Sequence, residues 1–139
     1  SGGLSGTATW FSSIGFKWPA LQARLAAATE IGAGSLFALG LLTPIAASGI
    51  VAIMVVAIVV AHWKVGFFVF LPNQGWEYCA TIAIGALAVS TMSPGAWSVD
   101  NAIDFAPHGW NSLVITAVVG LGASIAQLAI CYRPTRPST

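Results

Sequence analysis

Charged side chains are scarce in this chain. Five Lys or Arg and four Asp or Glu make up 6% of 139 residues, against roughly 25% in a soluble globular domain. The formal net charge is +1 and no basic tract is present, so nothing calls for nucleic acid or an acidic substrate as partner. Cysteine is nearly absent too. Cys79 and Cys131 have neither CxxC spacing nor a His/Cys cluster around them, which argues against a zinc site or a thioredoxin-type redox pair and leaves two small buried hydrophobes. No set of iron–sulfur cysteines and no glycine-rich nucleotide motif occurs. The opening SGGLSGTATW lacks the basic and apolar regions of a signal peptide. Residues 1–19 read as an interfacial loop, and because the first residue is Ser1 the chain is expected to begin upstream.

What is abundant is apolar. The chain is 57% hydrophobic with a mean hydropathy of +0.85, the composition of an integral membrane protein. Four apolar runs are long enough to cross a bilayer, which takes about 20 residues of helix with a range of roughly 17 to 25: about 20–42, 45–62, 77–93 and 112–131. The β-branched content of the second run suggests a strand in water, but its unbroken length and the need to pair every backbone group inside lipid favour helix. The expected fold is therefore all-α, a single polytopic bundle over 20–131 followed by a short basic tail, 132–139, with little order. Threading the spans alternately puts Lys17, Arg24, Lys64, Arg133 and Arg136 at one edge and Asp100 and Asp104 at the other, so the positive-inside rule places the basic edge in the cytoplasm. No repeat of the kind that builds inverted-repeat transporters is visible.

One residue resists the composition. Glu30 in TEIGAGS falls roughly 14 Å into its helix, where a carboxylate facing lipid costs about 2.5–3.5 kcal/mol. Its neighbours at helical spacing are Ala23, Ala26, Ala27, Ala33 and Gly34, a small-residue face that another helix can approach closely. Matching small or polar stripes run through Glu77, Thr81, Gly85, Ala88 and Met92, and through Thr116, Gly120, Ser124, Gln127 and Cys131. They are plausible mutual contacts, with Gln127 or Thr81 as hydrogen-bonding partners. Glu30 is thus a candidate proton carrier, or a polar group that fixes helix register.

A second constellation lies at one membrane edge. His62 and Glu77 flank the same connection, among Trp10, Phe11, Trp18, Trp63, Phe67, Phe68, Phe70, Trp76 and Tyr78. Apolar walls with a histidine and two carboxyls suit a flat amphipathic ligand such as a quinone, whose oxygens need proton donors and acceptors. On this reading Glu30, His62 and Glu77 carry the proton chemistry and Trp63, Phe67, Trp76 and Tyr78 hold the ring; no metal is implied. The alternative is an interfacial aromatic belt with His62 and Glu77 solvated at helix ends, Glu77 complementing a helix dipole. A haem is disfavoured, because His108 falls at the opposite edge from His62.

The blocks WFSSIGF (10–16), TEIGAGSLFALGLLTPIAA (29–47), AHW (61–63), GWEY (75–78) and SPGAWSVD (93–100), in that order, resemble the DoxX family of small bacterial membrane proteins over about residues 2–100. The resemblance implies that a customary first helix is missing, that 112–131 is an added one, and that Glu30, His62, Glu77 and Asp100 occupy recurring polar positions. It also implies a place in the bacterial cytoplasmic membrane, association with quinone-linked or respiratory redox complexes, and a cytoplasmic SVD end, the reverse of the orientation that the basic residues favour.

Three functions follow as expectations. The first is a quinone-interacting subunit of a redox assembly, which needs a partner protein because this chain offers no electron carrier. The second is a non-catalytic accessory subunit that docks through its small-residue faces. The third is a proton-coupled transporter using Glu30 as a relay. Membrane lipid and other membrane-protein subunits are the expected partners.

Overall fold

The apolar runs do become helices. The computed structural model describes residues 2–92, 94–105 and 107–134, and these contain no strand, only an isolated bridge between Phe16 and Tyr132. The helices are α1 (Leu4–Ser13), α2 (Pro19–Leu39), α3 (Thr43–Ala57, continued by a π-helical turn Ile58–His62), α4 (Glu77–Thr91), the short α5 (Val99–Ala102) and α6 (Gly109–Cys131). The first 19 residues are not all loop, because Leu4–Ser13 is helical. Leu4, Ala8 and Phe11 recur at three- and four-residue spacing, and Phe11 is buried against Phe16, Ala23, Val56 and Cys131. That one-sided anchor makes a helix of a segment whose polar content suggests a loop.

Two helices, Thr43–His62 with 20 residues and Gly109–Cys131 with 23, are long and apolar enough to cross a membrane. α4 is apolar but shorter, at 15 residues. α2 is long enough at 21 residues, but Gln22, Arg24, Thr29, Glu30 and Ser35 dilute its apolar character. The expectation of four spans thus resolves into two membrane-length helices flanked by a shorter and a more polar one.

α2 opens with Pro19 at its first turn, where the missing N–H is harmless. It closes on Gly40 in the left-handed conformation, with the Leu41 N–H donating to the Leu36 carbonyl at 2.9 Å. A Cβ at Gly40 would stand 2.6 Å from that of Ser98. Conformation and close approach therefore both require glycine at the α2–α3 corner.

α3 is the central helix, packed against α2, α4 and α6. It runs parallel to α6: Thr116 meets Pro44, Gly120 meets Ser48 and Val51, and Leu128 and Cys131 pack near Val56 and Val60. The contact is close because the side chains are small. A Cβ on Gly120 would fall 3.0 Å from the Ser48 carbonyl and from Val51 Cγ1. The stripe Thr116, Gly120, Ser124, Gln127, Cys131 is therefore the internal face of α6, as its spacing predicts: Gln127 is half-buried and the other four are buried. The stripe on α4 behaves oppositely. Thr81, Gly85, Ala88 and Met92 are exposed, and the buried face is Cys79, Ala83, Ala86 and Ser90.

Buried hydroxyls join three helices at one end. Thr116 Oγ1 lies 3.2 Å from the Pro44 carbonyl and 3.1 Å from Ser90 Oγ, and Ser112 Oγ donates to the Ser90 carbonyl. Ser48 Oγ donates to the same Pro44 carbonyl at 2.6 Å. No buried side-chain nitrogen or oxygen among the described residues is left without a partner, as a water-free surrounding demands.

Candidate functional site

The connection between α3 and α4 is built largely from its own backbone. The Trp76 and Glu77 N–H groups donate to the Gly66 and Phe67 carbonyls at 3.1 and 2.8 Å, and the Gly75 N–H donates to the Phe68 carbonyl at 3.0 Å. Gly66, Asn73 and Gln74 adopt positive φ to make these returns. Into this frame come the expected residues of the membrane edge. His62, on the π turn, has Nδ1 2.7 Å from the Gln74 carbonyl. Glu77 Oε2 accepts from the Val69 N–H at 3.0 Å. Trp76 stacks on Trp63 with ring centroids 6.1 Å apart and meets Phe67 edge-on at 4.6 Å, whereas Tyr78 is exposed. The structure therefore gathers His62, Trp63, Phe67, Trp76 and Glu77 into one cluster, and its polar members are engaged in closing the loop.

Glu30 is elsewhere. It lies on α2 beside a half-open cavity of about 750 Å³ bounded by α1, α2, α3 and α6. Neither His62 nor Glu77 lines that cavity, so the structure does not bring the three proton-exchanging candidates to one place. The cavity walls are apolar and small: Ala23, Ala26, Gly49, Ala52 and Val56, with Trp10 and Phe11 contributed by α1. The shape follows from sequence. Alanines and glycine on α2 and α3 leave room that larger side chains would fill, and the aromatic residues of α1 contribute wall at the end near the chain's basic residues.

Three polar side chains interrupt that lining most distinctly. Glu30 is exposed on α2. Gln22, only 3% exposed, accepts from Gln127 Nε2 of α6 at 2.9 Å across the cavity wall. The volume falls within the roughly 300–1,000 Å³ of small-molecule sites, whose common design is an apolar enclosure with a few placed polar groups. Gln127 stands out in the sequence as a possible interhelical partner, but Gln22 does not. The available signal is its position eight residues before Glu30 on the same helix, in a chain with few polar residues.

At the far end, Asp100 is fully buried. Its Oδ1 accepts from the Leu42 N–H at 2.7 Å, and its Oδ2 accepts from the Thr43 N–H at 2.8 Å and the Thr43 hydroxyl at 2.7 Å. The Asp100 N–H returns to the Gly40 carbonyl at 2.9 Å. This carboxylate supplies in trans the cap that α3 lacks in its own sequence, because Leu42 at the N-cap position has no side-chain acceptor. No group of three or more His, Cys, Asp or Glu that suits a metal occurs among the described residues.

At the opposite edge the segment before α2 is joined to the end of α6. The Lys17 N–H donates to the Cys131 carbonyl and the Arg133 N–H to the Gly15 carbonyl, both at 2.8 Å. The start of the basic tail is thus tied down, and residues 135–139 lie outside the described residues.

Neither a curated protein nor a solved structure matches the chain. The family model for DoxX matches residues 1–63, a segment that contains Glu30, His62 and the α2 and α3 walls of the cavity, while the blocks around Glu77 and Asp100 fall beyond it. Over this segment the chain is similar to the DoxX family.

Proposed function

We propose that this protein is a quinone-binding subunit of a redox assembly in the bacterial cytoplasmic membrane, and that the ligand occupies the cavity between α1, α2, α3 and α6. The observation that carries the reading is the cavity itself: about 750 Å³, walled by alanine, glycine, valine and aromatic residues, with Glu30 and the Gln22–Gln127 pair as its distinctive polar features. Those residues fit a quinone. An isoprenoid tail and a planar ring need apolar walls that small side chains leave accessible, and the ring oxygens need hydrogen-bond donors. When bound, the quinone supplies the two-electron chemistry. The chain's own residues bind and orient the ring and exclude water, and Glu30 is the group positioned to take up or release a proton. Electrons come from a partner subunit. The His62–Trp63–Phe67–Trp76–Glu77 cluster then serves as the aromatic closure of that membrane edge.

A non-catalytic accessory role is favoured by a different observation, the outward-facing stripe Thr81, Gly85, Ala88 on α4, which suits close helix packing against another subunit. One experiment separates the readings. The protein is extracted from its native membrane in mild detergent and its native mass spectrum recorded, with quinone-linked turnover assayed on the same sample. Retained quinone, together with Glu30→Gln that assembles normally but loses most of its turnover, is the expected result. A stoichiometric set of protein subunits with no small-molecule adduct would replace the quinone reading with the accessory one.

A further inference from the structure

We propose that the Gln22–Gln127 pair is the anchor for the quinone ring and that it holds the oxidised and reduced forms about equally. This rests on the quinone reading above. Gln22 is almost wholly buried, yet it lines the cavity, and a polar side chain in such a place needs a reason. Its bond to Gln127 uses one N–H of one amide and the carbonyl of the other. Among the described residues the structure gives neither side chain a further partner. Whichever way round the two amides are oriented, the arithmetic is the same: the donating amide keeps its second N–H and its whole carbonyl, and the accepting amide keeps both of its N–H donors.

That remainder matches both redox forms of a quinone. The oxidised ring presents carbonyl oxygens, which only accept, and the free N–H serves them. The reduced ring presents hydroxyls, which the free carbonyl accepts. Neither amide ionises near neutral pH, so the anchor works without moving a proton. Glu30 stands eight residues further along α2, roughly 12 Å of helical rise, so binding and proton transfer are assigned to different places in one cavity. A neutral anchor that favours neither form leaves the quinone's own redox balance little changed. This suits a subunit that passes quinone through rather than trapping one form.

The test is equilibrium binding of a benzoquinone carrying a ten-carbon tail, and anaerobically of its reduced form, to the detergent-solubilised chain by isothermal titration calorimetry. Wild type is expected to bind the two forms within about threefold of each other. The Gln22→Leu/Gln127→Leu double variant, which replaces a polar pair by an apolar one of similar size, is expected to bind both about tenfold more weakly, the scale of one or two neutral hydrogen bonds. Circular dichroism and thermal unfolding report whether it folds; if it does not, Gln127→Leu alone carries the test with a severalfold loss. Wild-type binding with no loss in the folded variant overturns the anchor and leaves the quinone reading standing. Strong preference of wild type for one form overturns the claim of equal recognition. No binding of either form to wild type overturns the quinone reading itself.

Discussion

Asp100→Ala should release the start of α3 while leaving the cavity end intact. Asp100 is fully buried and accepts three hydrogen bonds of 2.7–2.8 Å, from two backbone N–H groups and one hydroxyl. Pro44 follows directly and contributes no N–H, so the carboxylate serves the one orphan donor of that first turn, Thr43 N–H, together with Leu42 N–H. Hydrogen bonds to a charged group are worth about 1.5–3 kcal/mol net, but they do not add fully, and the Thr43 hydroxyl can turn to another acceptor. The expected loss is about 4 kcal/mol for the alanine variant, and each 1.4 kcal/mol is about tenfold, so the local opening equilibrium rises by nearly three orders of magnitude. Asp100→Asn keeps one acceptor oxygen and turns its amide NH₂, a donor, towards the remaining donors. About half the loss is expected there. Thr43→Val removes only the hydroxyl contact and should cost about 1 kcal/mol. The assay is hydrogen exchange read by mass spectrometry on peptides covering 40–47 and, as a reference, 120–131. Protection should fall at 40–47 in the order alanine, asparagine, valine, with the reference little changed. Unaltered exchange at 40–47 in the alanine variant would refute the view that this carboxylate holds the helix start.

Two further outcomes follow from the packing. Thr116→Val removes the hydroxyl shared between the Pro44 carbonyl and Ser90 Oγ and should lower stability by about 1–3 kcal/mol, seen as a lower thermal midpoint in detergent; an unchanged midpoint would mean that the three-helix tie contributes nothing. Gly120→Leu places a side chain where even a Cβ stands 3.0 Å from Ser48 and Val51, so it should separate α3 from α6 and cost about 3 kcal/mol or more, read as loss of the folded monodisperse peak in size-exclusion chromatography. Gly85→Leu, on the outward face with nothing near its Cβ, is the matched control and should fold normally.

Composition and the length of the apolar runs were enough to read an all-helical chain with helices of membrane length, and to place its main helices. Those features depend on local causes: apolar length, proline at first turns, and glycine at Gly40, where the left-handed corner leaves little choice. The sequence also marked the internal face of α6, because Thr116, Gly120, Ser124 and Cys131 repeat on one side of a helix. The equivalent stripe on α4 has the same spacing and faces outward. Spacing identifies a face but not the neighbour it meets, and only the placement of α3 decides between them. Asp100 shows the same limit over a longer range. Its partners lie 57 and 58 positions away, and no local pattern tells a helix-capping carboxylate from a solvated one at a membrane edge. Glu30, His62 and Glu77 were legible as unusual residues, since charge or imidazole in so apolar a chain is conspicuous. Their separation into a loop closure and a cavity wall was decided by the tertiary fold, because the cavity exists only where small residues of α2 and α3 face each other beneath α1 and beside α6.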